Sequence, residues 1–350
     1  MKVFVTGTDG YIGAVLAVRL LKSGHEVTGF DTGYYRAGWL FNAPSYLDRS
    51  AHTVYGDVRQ VTPEMLAGFD AVVHMAELSN DPLGESNRDV TFDINHRGSL
   101  QLANAAREAG VPRFVYTSSC SVYGVSDADV VDETAPVNPQ TAYAECKVLV
   151  ERDVGEMAST DFAPVFLRNA TAYGASPRMR FDIVLNNLCG LAWTTGKIAM
   201  TSDGSPWRPI VHIEDICTAI EYAIEAEAGH VSGQVFNVGS NDENYRIREI
   251  AEIVAAEFPG CEVTFGESGA DNRSYRVNFD RIHGLLPGFS CRWSARDGAR
   301  QLRSVRLGGE RAGGDRFASS TERQEFPCGS VSGRRCDRKI SRDRFGASRT

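Results

Sequence analysis

A tyrosine and a lysine four residues apart are the side chains in this sequence best suited to proton transfer. Tyr143 and Lys147 stand in the segment Y-A-E-C-K, whose helical spacing would place both side chains on one helix face. A nearby ammonium group lowers the pKa of a phenol because it stabilises the phenolate. The phenolate could then accept a proton from a hydroxyl group whose carbon is being oxidised. Ser119, which ends a predicted strand, could hold the reacting oxygen and donate a hydrogen bond to it.

A glycine triplet near the N-terminus predicts a turn that binds the phosphates of a dinucleotide. Gly7, Gly10 and Gly13 form G-x-x-G-x-x-G directly after a predicted strand and open a predicted helix. Glycine lets the backbone approach a pyrophosphate, and the helix N-terminus offers it free N–H groups. Asp31 ends the second predicted strand, where a carboxylate binds ribose hydroxyls and repels a 2′-phosphate. The pattern therefore predicts NAD as the cofactor, with Arg36 as the residue that would favour NADP instead.

Short apolar runs alternate with helical segments along the N-terminal half of the chain. The predicted strands are Lys2–Thr6, Glu26–Asp31, Thr53–Asp57, Ala71–Met75, Arg113–Ser118 and Pro164–Asn169. The predicted helices are Gly13–Ser23, Gly98–Ala109 and Thr141–Met157. This alternation is typical of an α/β fold with a Rossmann-type, doubly wound parallel sheet and right-handed crossovers. Ligands of such sheets bind at the carboxyl ends of the strands, which is where the residues above are expected.

Shorter, mixed segments follow residue 174 and predict a smaller domain that closes over the first. They are the helices Phe181–Thr194 and Tyr245–Glu257 and the strands Val235–Val238 and Glu262–Phe265. We therefore divide the chain into a dinucleotide-binding domain, residues 1–174 with later returns around 207–240, and a mainly substrate-binding domain, residues 175–307. Residues 308–350 form a tail.

The tail is rich in Arg, Ser and Gly and shows no strand or helix period. Residues 301–350 contain 12 basic and 6 acidic residues, so the rest of the chain is more acidic than the net charge of −8 indicates. We interpret the tail as disordered or as the product of a shifted reading frame. A basic patch for a nucleic acid or a membrane is the third interpretation, but the acidic body argues against nucleic-acid binding.

The cysteine and histidine patterns predict neither disulfides nor a metal site. The eight cysteines are scattered without a C-x-x-C pair, and the seven histidines form no H-x-x-x-H pair. Such usage predicts reduced thiols and a cytoplasmic location. No apolar run reaches the roughly 20 residues of a membrane-spanning helix, and the N-terminus lacks the features of a signal peptide.

The chain resembles the extended short-chain dehydrogenase/reductase family, which includes the NAD-dependent epimerases and dehydratases of nucleotide sugars. The resemblance extends from Met1 to the region of residue 300. It rests on the segments GTDGYIG, VVHMAELS, DINHRGS, SSCSVYG, YAECK, LRNATAYG, WRPIVHIEDI and FNVGS. It implies a Rossmann domain that holds NAD and a smaller C-terminal domain that holds a nucleoside-diphosphate sugar.

The resemblance also implies roles for individual residues. Ser119, Tyr143 and Lys147 match the catalytic serine, tyrosine and lysine, and Lys147 would also contact the cofactor. The other residues that would bind the cofactor are Gly7, Gly10, Tyr11, Ile12, Gly13, Asp31, Asp57, Val58 and Ala76, with Glu77 beside them. Those that would bind the nucleotide sugar are Ser121, Asn169, Arg208 and Arg273, and Asn95 would lie behind the active site.

The two positions after Ser119 depart from the pattern of 4,6-dehydratases. Those relatives carry Asp and Glu there, which protonate the leaving hydroxyl and remove the C5 proton, whereas this chain has Cys120 and Ser121. A thiol and a hydroxyl do not easily replace that pair, so the sequence favours an epimerase or a ketoreductase. We interpret Cys120 as a packed thiol, with an acid/base thiol as the alternative.

The leading hypothesis is therefore an NAD-dependent nucleotide-sugar epimerase acting at C4 through a transient 4-keto sugar. The alternatives are an NAD(P)H-dependent 4-ketoreductase of a nucleotide deoxysugar, a 4,6-dehydratase, and a non-catalytic NAD-binding regulatory or scaffold protein. Family members often dimerise through two helices each, so a homodimer through Gly98–Ala109 and Thr141–Met157 is expected. No nucleic-acid or membrane partner is predicted.

Overall fold

In the part of the chain that the structure describes, seven parallel strands form the central sheet. The computed structural model describes residues 1–40, 52–126, 128–267 and 273–305, and the predicted tail lies outside them. With all strands numbered in chain order, those of this sheet are β1 (Lys2–Thr6), β2 (Glu26–Asp31), β3 (His52–Tyr55), β4 (Ala71–His74), β5 (Arg113–Ser119), β6 (Ala163–Asn169) and β10 (Gln234–Val238). Their spatial order is β10-β6-β5-β4-β1-β2-β3, which confirms the predicted doubly wound sheet.

The remaining strands of the described chain form two smaller sheets. The strands β7 (Thr171–Tyr173), β9 (Trp207–His212) and β11 (Asn244–Arg246) pair in the order β11-β9-β7, and β8 (Lys197–Ala199) pairs with β12 (Glu262–Thr264). The helices are α1 (Gly13–Lys22), α2 (Pro63–Leu66), α3 (Asp81–Ser86), α4 (Arg88–Phe92), α5 (Gly98–Glu108), α6 (Ala142–Gly155), α7 (Val184–Thr195), α8 (Ile213–Glu225), α9 (Ala228–Val231), α10 (Ile247–Glu257), α11 (Asp280–Leu285) and α12 (Ala295–Ser304). Among the described helices, none combines the length and the apolar character needed to cross a membrane.

Both faces of the main sheet are covered, which explains why its strands are apolar without alternation. Val3 and Val5 of β1 belong to a core that includes residues of α1 and α8. Phe4, on the opposite face of the same strand, belongs to a core that includes residues of α5 and α6. A third core packs α7, α10 and α12 together through residues such as Leu185 and Ile250.

The predicted division into two domains stays a prediction, although two features of the structure correspond to parts of it. The third core lies in the range assigned to the substrate domain, apart from Tyr173 and Ile210. Strand β10 returns to the main sheet beside β6, within the predicted returns around 207–240. The described residues nevertheless group into one compact unit.

The main-sheet strands confirm the predicted strands to within two residues at either end. The segment Tyr245–Glu257, predicted as one helix, differs: Tyr245 lies in β11, opposite Arg208 of β9, and helix α10 begins at Ile247. Backbone pairing with a strand that is distant in sequence decides the conformation there, and helical periodicity does not report such pairing.

The start of α6 fixes the position of the predicted catalytic pair. The Thr141 hydroxyl accepts a hydrogen bond from the N–H of Ala144 at 3.3 Å and caps the helix. Tyr143 therefore lies in the first turn, and Lys147 lies one turn further on the same face.

The close packing of α1 on the turn after β1 should make Gly13 intolerant of any side chain. A Cβ at Gly13 would lie 2.0 Å from the carbonyl oxygen of Gly7. We expect Gly13→Ala to lower the free energy of unfolding by about 1–3 kcal/mol, measured by denaturant unfolding. Gly284→Ala is the control, because a Cβ there meets nothing within 4 Å. Equal stability of Gly13→Ala and the wild type would contradict the close approach.

Candidate active site

A single cavity at the carboxyl edge of the main sheet brings the predicted site residues together. Its volume is about 1620 Å³, and the ends of β1, β2, β4, β5 and β6 open into it. All residues predicted for catalysis, cofactor or substrate line this cavity: Gly7, Gly10, Tyr11, Ile12, Gly13, Asp31, Asp57, Val58, Ala76, Ser119, Ser121, Tyr143, Lys147, Asn169, Arg208 and Arg273.

The glycine turn forms one wall of the cavity from backbone alone. Gly7 adopts a φ of 80°, which favours glycine, and a Cβ there would lie 3.1 Å from the backbone nitrogen of Ala76. Tyr11 anchors the turn, because its hydroxyl donates to the carbonyl of Gly174 at 2.7 Å and accepts from the Asn186 amide at 3.0 Å. The exposed backbone and the first turn of α1 thus face the cavity, as a phosphate group requires.

Asp31 is held at the end of β2 by two backbone donors. Its carboxylate accepts from the N–H of Asp9 at 3.0 Å and from the N–H of Gly33 at 2.8 Å. Arg36, the residue that would favour NADP, lies 3.6 Å from the Asp9 carboxylate, and its guanidinium stacks on the Trp39 ring at 3.9 Å. The carboxylate at the predicted ribose position is therefore fixed, while the arginine is engaged elsewhere.

Asp57 and Val58 form the turn after β3. Asp57 accepts from the N–H of Arg59 at 2.9 Å and pairs with its guanidinium at 2.5 Å. These hydrogen bonds hold the pKa of Asp57 below its usual value. Val58 is buried, so the turn presents a fixed surface to the cavity.

Ser119 and Tyr143 both line the cavity, and Ser119 is close enough to lower the pKa of Tyr143. Ser119 also accepts from the N–H of Ser121 at 3.1 Å, which orients its hydroxyl group. Nζ of Lys147 lies 5.2 Å from the centre of the Tyr143 ring. The structure thus places the three predicted catalytic residues together, although they come from β5 and α6.

The pKa of Tyr143 differs from the expectation that Lys147 would lower it. The Lys147 ammonium does lower this pKa, as do Arg180 and the neighbouring Ser119 hydroxyl. Burial and the negative charge of Glu77 act in the opposite direction, and burial has the largest effect, so the pKa of Tyr143 is raised overall. Arg180 was not predicted as a site residue.

Glu77, which the sequence placed beside the cofactor, forms a charged pair with Lys147 that was not predicted. Its carboxylate lies 2.5 Å from Nζ of Lys147 and accepts from the Tyr116 hydroxyl at 2.5 Å. Lys147 also donates to the carbonyl of Thr117. The signal in the sequence was an acidic residue three positions after the end of the buried strand A-V-V-H, but its partner on α6 depends on the fold.

Two cavity-lining residues each carry a buried polar atom that has no hydrogen-bond partner among the described residues. These atoms are Oγ of Ser121 and Oδ1 of Asn169. The Asn169 amide nitrogen donates to the carbonyl of Ser118 at 3.4 Å, so its oxygen is the free end. Buried polar atoms are normally paired, and a hydroxylated ligand would pair these two.

The arginines predicted to bind the diphosphate lie side by side. Arg208 donates to the carbonyl of Arg273, and Arg273 pairs with Asp81 at 2.8 Å. Arg180 lies nearer Tyr143 and pairs with Asp182 at 2.6 Å. This end of the cavity therefore concentrates guanidinium groups, which suit phosphate oxygens.

Asn95 ties the chain behind the cavity to the end of β4. It lies in a π-helical turn, Asp93–Arg97, between α4 and α5. Its amide accepts from the N–H of Leu78 at 2.8 Å and donates to the carbonyl of Leu78 at 2.9 Å. This double hydrogen bond fits the predicted place of Asn95 behind the site and holds the cavity wall that carries Glu77.

Cys120 packs behind the sheet edge instead of facing the cavity. It is 1% exposed, and its thiol donates to the carbonyl of Arg168 at 3.2 Å. Burial raises the pKa of this thiol well above its usual value. The packed-thiol interpretation fits this environment better than an acid/base role.

One acid–histidine cluster lies outside the cavity in the described chain. Ligand-type atoms of His25, Glu221 and Glu225 lie within 4.8 Å of one another. The Glu221 carboxylate already pairs with Arg19 at 2.6 Å, and His25 lies 3.1 Å from Glu225. These contacts explain the cluster as an ion-pair network between α1 and α8.

Comparison with known proteins assigns the chain to a family. The model of the NAD dependent epimerase/dehydratase family matches residues 3–239. The chain belongs to this family. It is 34% identical over 270 residues to the UDP-glucose 4-epimerase of Mycolicibacterium smegmatis, covering 73% of this chain and 82% of that protein. It is 32% identical over 274 residues to the UDP-glucose 4-epimerase of Corynebacterium glutamicum, covering 72% and 79%.

A solved structure agrees with this assignment. The structure of MoeE5 in complex with UDP-glucuronic acid and NAD is similar with a TM-score of 0.74 and 25% identity, covering 87% of this chain and 98% of that one. The cofactor of this epimerase/dehydratase is NAD. The open backbone at Gly7, the first turn of α1 and the fixed Asp31 carboxylate fit its pyrophosphate and ribose.

The cofactor preference should depend on Asp31. We expect Asp31→Asn to raise the dissociation constant of NAD about tenfold, because a charge-assisted hydrogen bond is lost. Discrimination against NADP should fall as well. Both are measured by titration calorimetry. Asp70→Asn is the control, because Asp70 accepts from the N–H of Lys2 and does not line the cavity. A wild type that binds NADP more tightly than NAD would contradict the assignment.

Proposed function

We propose that this epimerase/dehydratase inverts C4 of a nucleoside-diphosphate sugar. The observation that carries the proposal is that Ser119, Tyr143 and Lys147 line one cavity, with Nζ of Lys147 5.2 Å from the centre of the Tyr143 ring. Such a group transfers one proton to and from a single hydroxyl. The two relatives described above are UDP-glucose 4-epimerases, which supports a reaction of this kind.

The protein side of the reaction is a reversible proton transfer. NAD, when bound, supplies the redox chemistry that takes the sugar carbon to a ketone and back. Ser119 hydrogen-bonds the reacting sugar oxygen, and the Tyr143 phenolate takes the proton from that oxygen. Lys147 stabilises the phenolate by its charge. Tyr143 returns the proton when the carbon is reduced from the opposite face.

An elimination of water is disfavoured by the charges around Tyr143. The two positions after Ser119 are Cys120, which is packed away from the cavity, and Ser121, which is neutral. Three of the carboxylates that line the cavity are engaged by cations: Asp81 by Arg273, Asp182 by Arg180 and Glu77 by Lys147. Paired carboxylates are poor acids for a leaving hydroxyl.

The nucleotide sugar would be bound by guanidinium groups at its diphosphate and by polar oxygens at its sugar. We propose that the guanidinium groups of Arg208 and Arg273 bind the diphosphate. The unpaired oxygens of Ser121 and Asn169 would bind sugar hydroxyls. The substrate class is supported by the UDP-sugars of the relatives, and the sugar itself is left to experiment.

We also propose a homodimer in which α5 and α6 form the contact, as the resemblance to the family implies. Both helices keep accessible side chains within a single chain: Leu149 of α6 is half-buried, and Arg107 of α5 and Arg152 of α6 are exposed. A cytoplasmic location is proposed from the scattered cysteines alone.

The reaction is tested by product analysis without added cofactor. The purified protein is incubated with UDP-, dTDP-, GDP- and CDP-hexoses, and the products are identified by NMR. We expect one of them to give its C4 epimer, while mass spectrometry detects bound NAD. A reaction that needs added NAD(P)H would identify a ketoreductase, and a 4-keto-6-deoxy product would identify a dehydratase. Either result would overturn the proposal.

The proton transfer is tested at Tyr143. Tyr143→Phe should lower kcat by about 10²–10⁴-fold, because the acid/base oxygen is lost, and should leave NAD affinity unchanged. Tyr222→Phe is the matched control, because the Tyr222 hydroxyl donates to the carbonyl of Gly288 outside the cavity. A Tyr143→Phe variant with more than about a tenth of the wild-type rate would refute the role.

A further inference from the structure

The carboxylate of Glu77 and the ammonium of Lys147 form an enclosed ion pair beneath Tyr143. The two side chains are 2% and 3% exposed, and Nζ of Lys147 lies 2.5 Å from the Glu77 carboxylate. We propose that Glu77 is a positioning residue, which holds Lys147 under Tyr143 and keeps it in its ammonium form. This inference rests on the proposed function, because it takes Lys147 as part of the catalytic machinery.

A buried ammonium group needs a compensating charge at close range. Transfer of an unpaired charge from water into a protein interior is so unfavourable that the group gives up its charge instead. Burial accordingly lowers the pKa of Lys147, whereas Glu77 is the strongest influence that raises it, and the pKa is raised overall. Without the Glu77 carboxylate, burial would favour the neutral amine.

The other titratable groups around the pair do not replace Glu77. From α6, Glu151 is paired with Arg168 at 2.7 Å, and the pKa of the Cys146 thiol is raised to about 12, so the thiol is neutral. From β4, the pKa of His74 is lowered to about 3 by burial and by Lys147, so its ring is neutral. The remaining titratable groups that face the pair are the phenols of Tyr116 and Tyr143.

The second oxygen of the Glu77 carboxylate is also held. The Tyr116 hydroxyl of β5 donates to Oε1 of Glu77 at 2.5 Å, whereas Lys147 pairs with Oε2. The neighbouring backbone is held by Asn95, which binds both backbone groups of Leu78, the residue after Glu77. The position of the ammonium is thus set by β4 and β5 as well as by its own helix.

Lysine NMR tests the charge directly, since the chain has five lysines: Lys2, Lys22, Lys147, Lys197 and Lys339. The protein is labelled with 13C at the lysine ε carbon and titrated with and without Glu77→Gln, in the absence of any sugar. Lys147→Met assigns the signal. We expect Lys147 in Glu77→Gln to lose its proton about 1–3 pH units lower than in the wild type.

Activity provides the second measurement. In Glu77→Gln, the alkaline limb of the pH profile of kcat/KM should move to lower pH by the same amount as the Lys147 titration seen by NMR. The KM for the sugar should stay the same. Glu77→Asp, which keeps the charge, should restore the limb toward its wild-type position. Glu221→Gln removes a carboxylate from an ion pair outside the cavity and should leave the titration of Lys147 unchanged.

The outcomes separate this inference from the proposed function. If Glu77→Gln shifts the Lys147 titration but the wild type has no C4 epimerase activity, the role of Glu77 in holding the charge is supported and the proposed function is refuted. An unshifted titration in an active Glu77→Gln enzyme would refute the inference alone. If Glu77→Gln does not fold, Glu77→Ala removes the same carboxylate, and an unshifted Lys147 titration in that variant would refute the inference.

Discussion

Parallel pairing of the central strands determines where every other feature of this protein can lie. Parallel strands cannot be joined by tight turns, so each connection must cross a face of the sheet and return to the same edge. All carboxyl ends therefore meet at one edge, and both faces are covered by helices. Gly7, Asp31 and Ser119, which follow or end three different strands, meet at one cavity for this reason. The active site is a consequence of the topology more than of any one loop.

The same geometry places charged groups in an enclosed space, where several of them are compensated by a neighbouring charge or by backbone donors. Lys147 is paired with Glu77, and Arg168 is paired with Glu151. Asp31 is held by backbone N–H groups of the glycine turn and of its own loop. A buried ion pair contributes little net stability, whereas an uncompensated buried charge is strongly unfavourable. The pairs are therefore better explained by the placement of the charges than by stability.

Features that depend on residues close together in the sequence could be predicted, whereas features that depend on contacts between distant segments could not. The glycine triplet and the Tyr143–Lys147 pair were predictable, because short spacings and one strand-end rule define them. Strand β11, within the segment predicted as a helix, was not, because its pairing partner β9 is distant in sequence. Helix α8 was not predicted as an element, although its apolar residues recur at helical spacing. The pairing of Glu77 with Lys147 joins β4 to α6, and only the assembled sheet brings them together.

A reversible reaction places a particular demand on the acidity of Tyr143. The phenol must release a proton readily enough to accept one from a hydroxyl, and must hold it loosely enough to return it, so an extreme pKa in either direction slows one half of the cycle. Lys147, Arg180 and Ser119 favour the phenolate, while burial and Glu77 favour the phenol. A lysine without a carboxylate partner would act on Tyr143 with its full charge, if it kept that charge at all. The pair with Glu77 keeps the ammonium charged and moderates its field, and both effects suit an enzyme that must move the same proton in two directions.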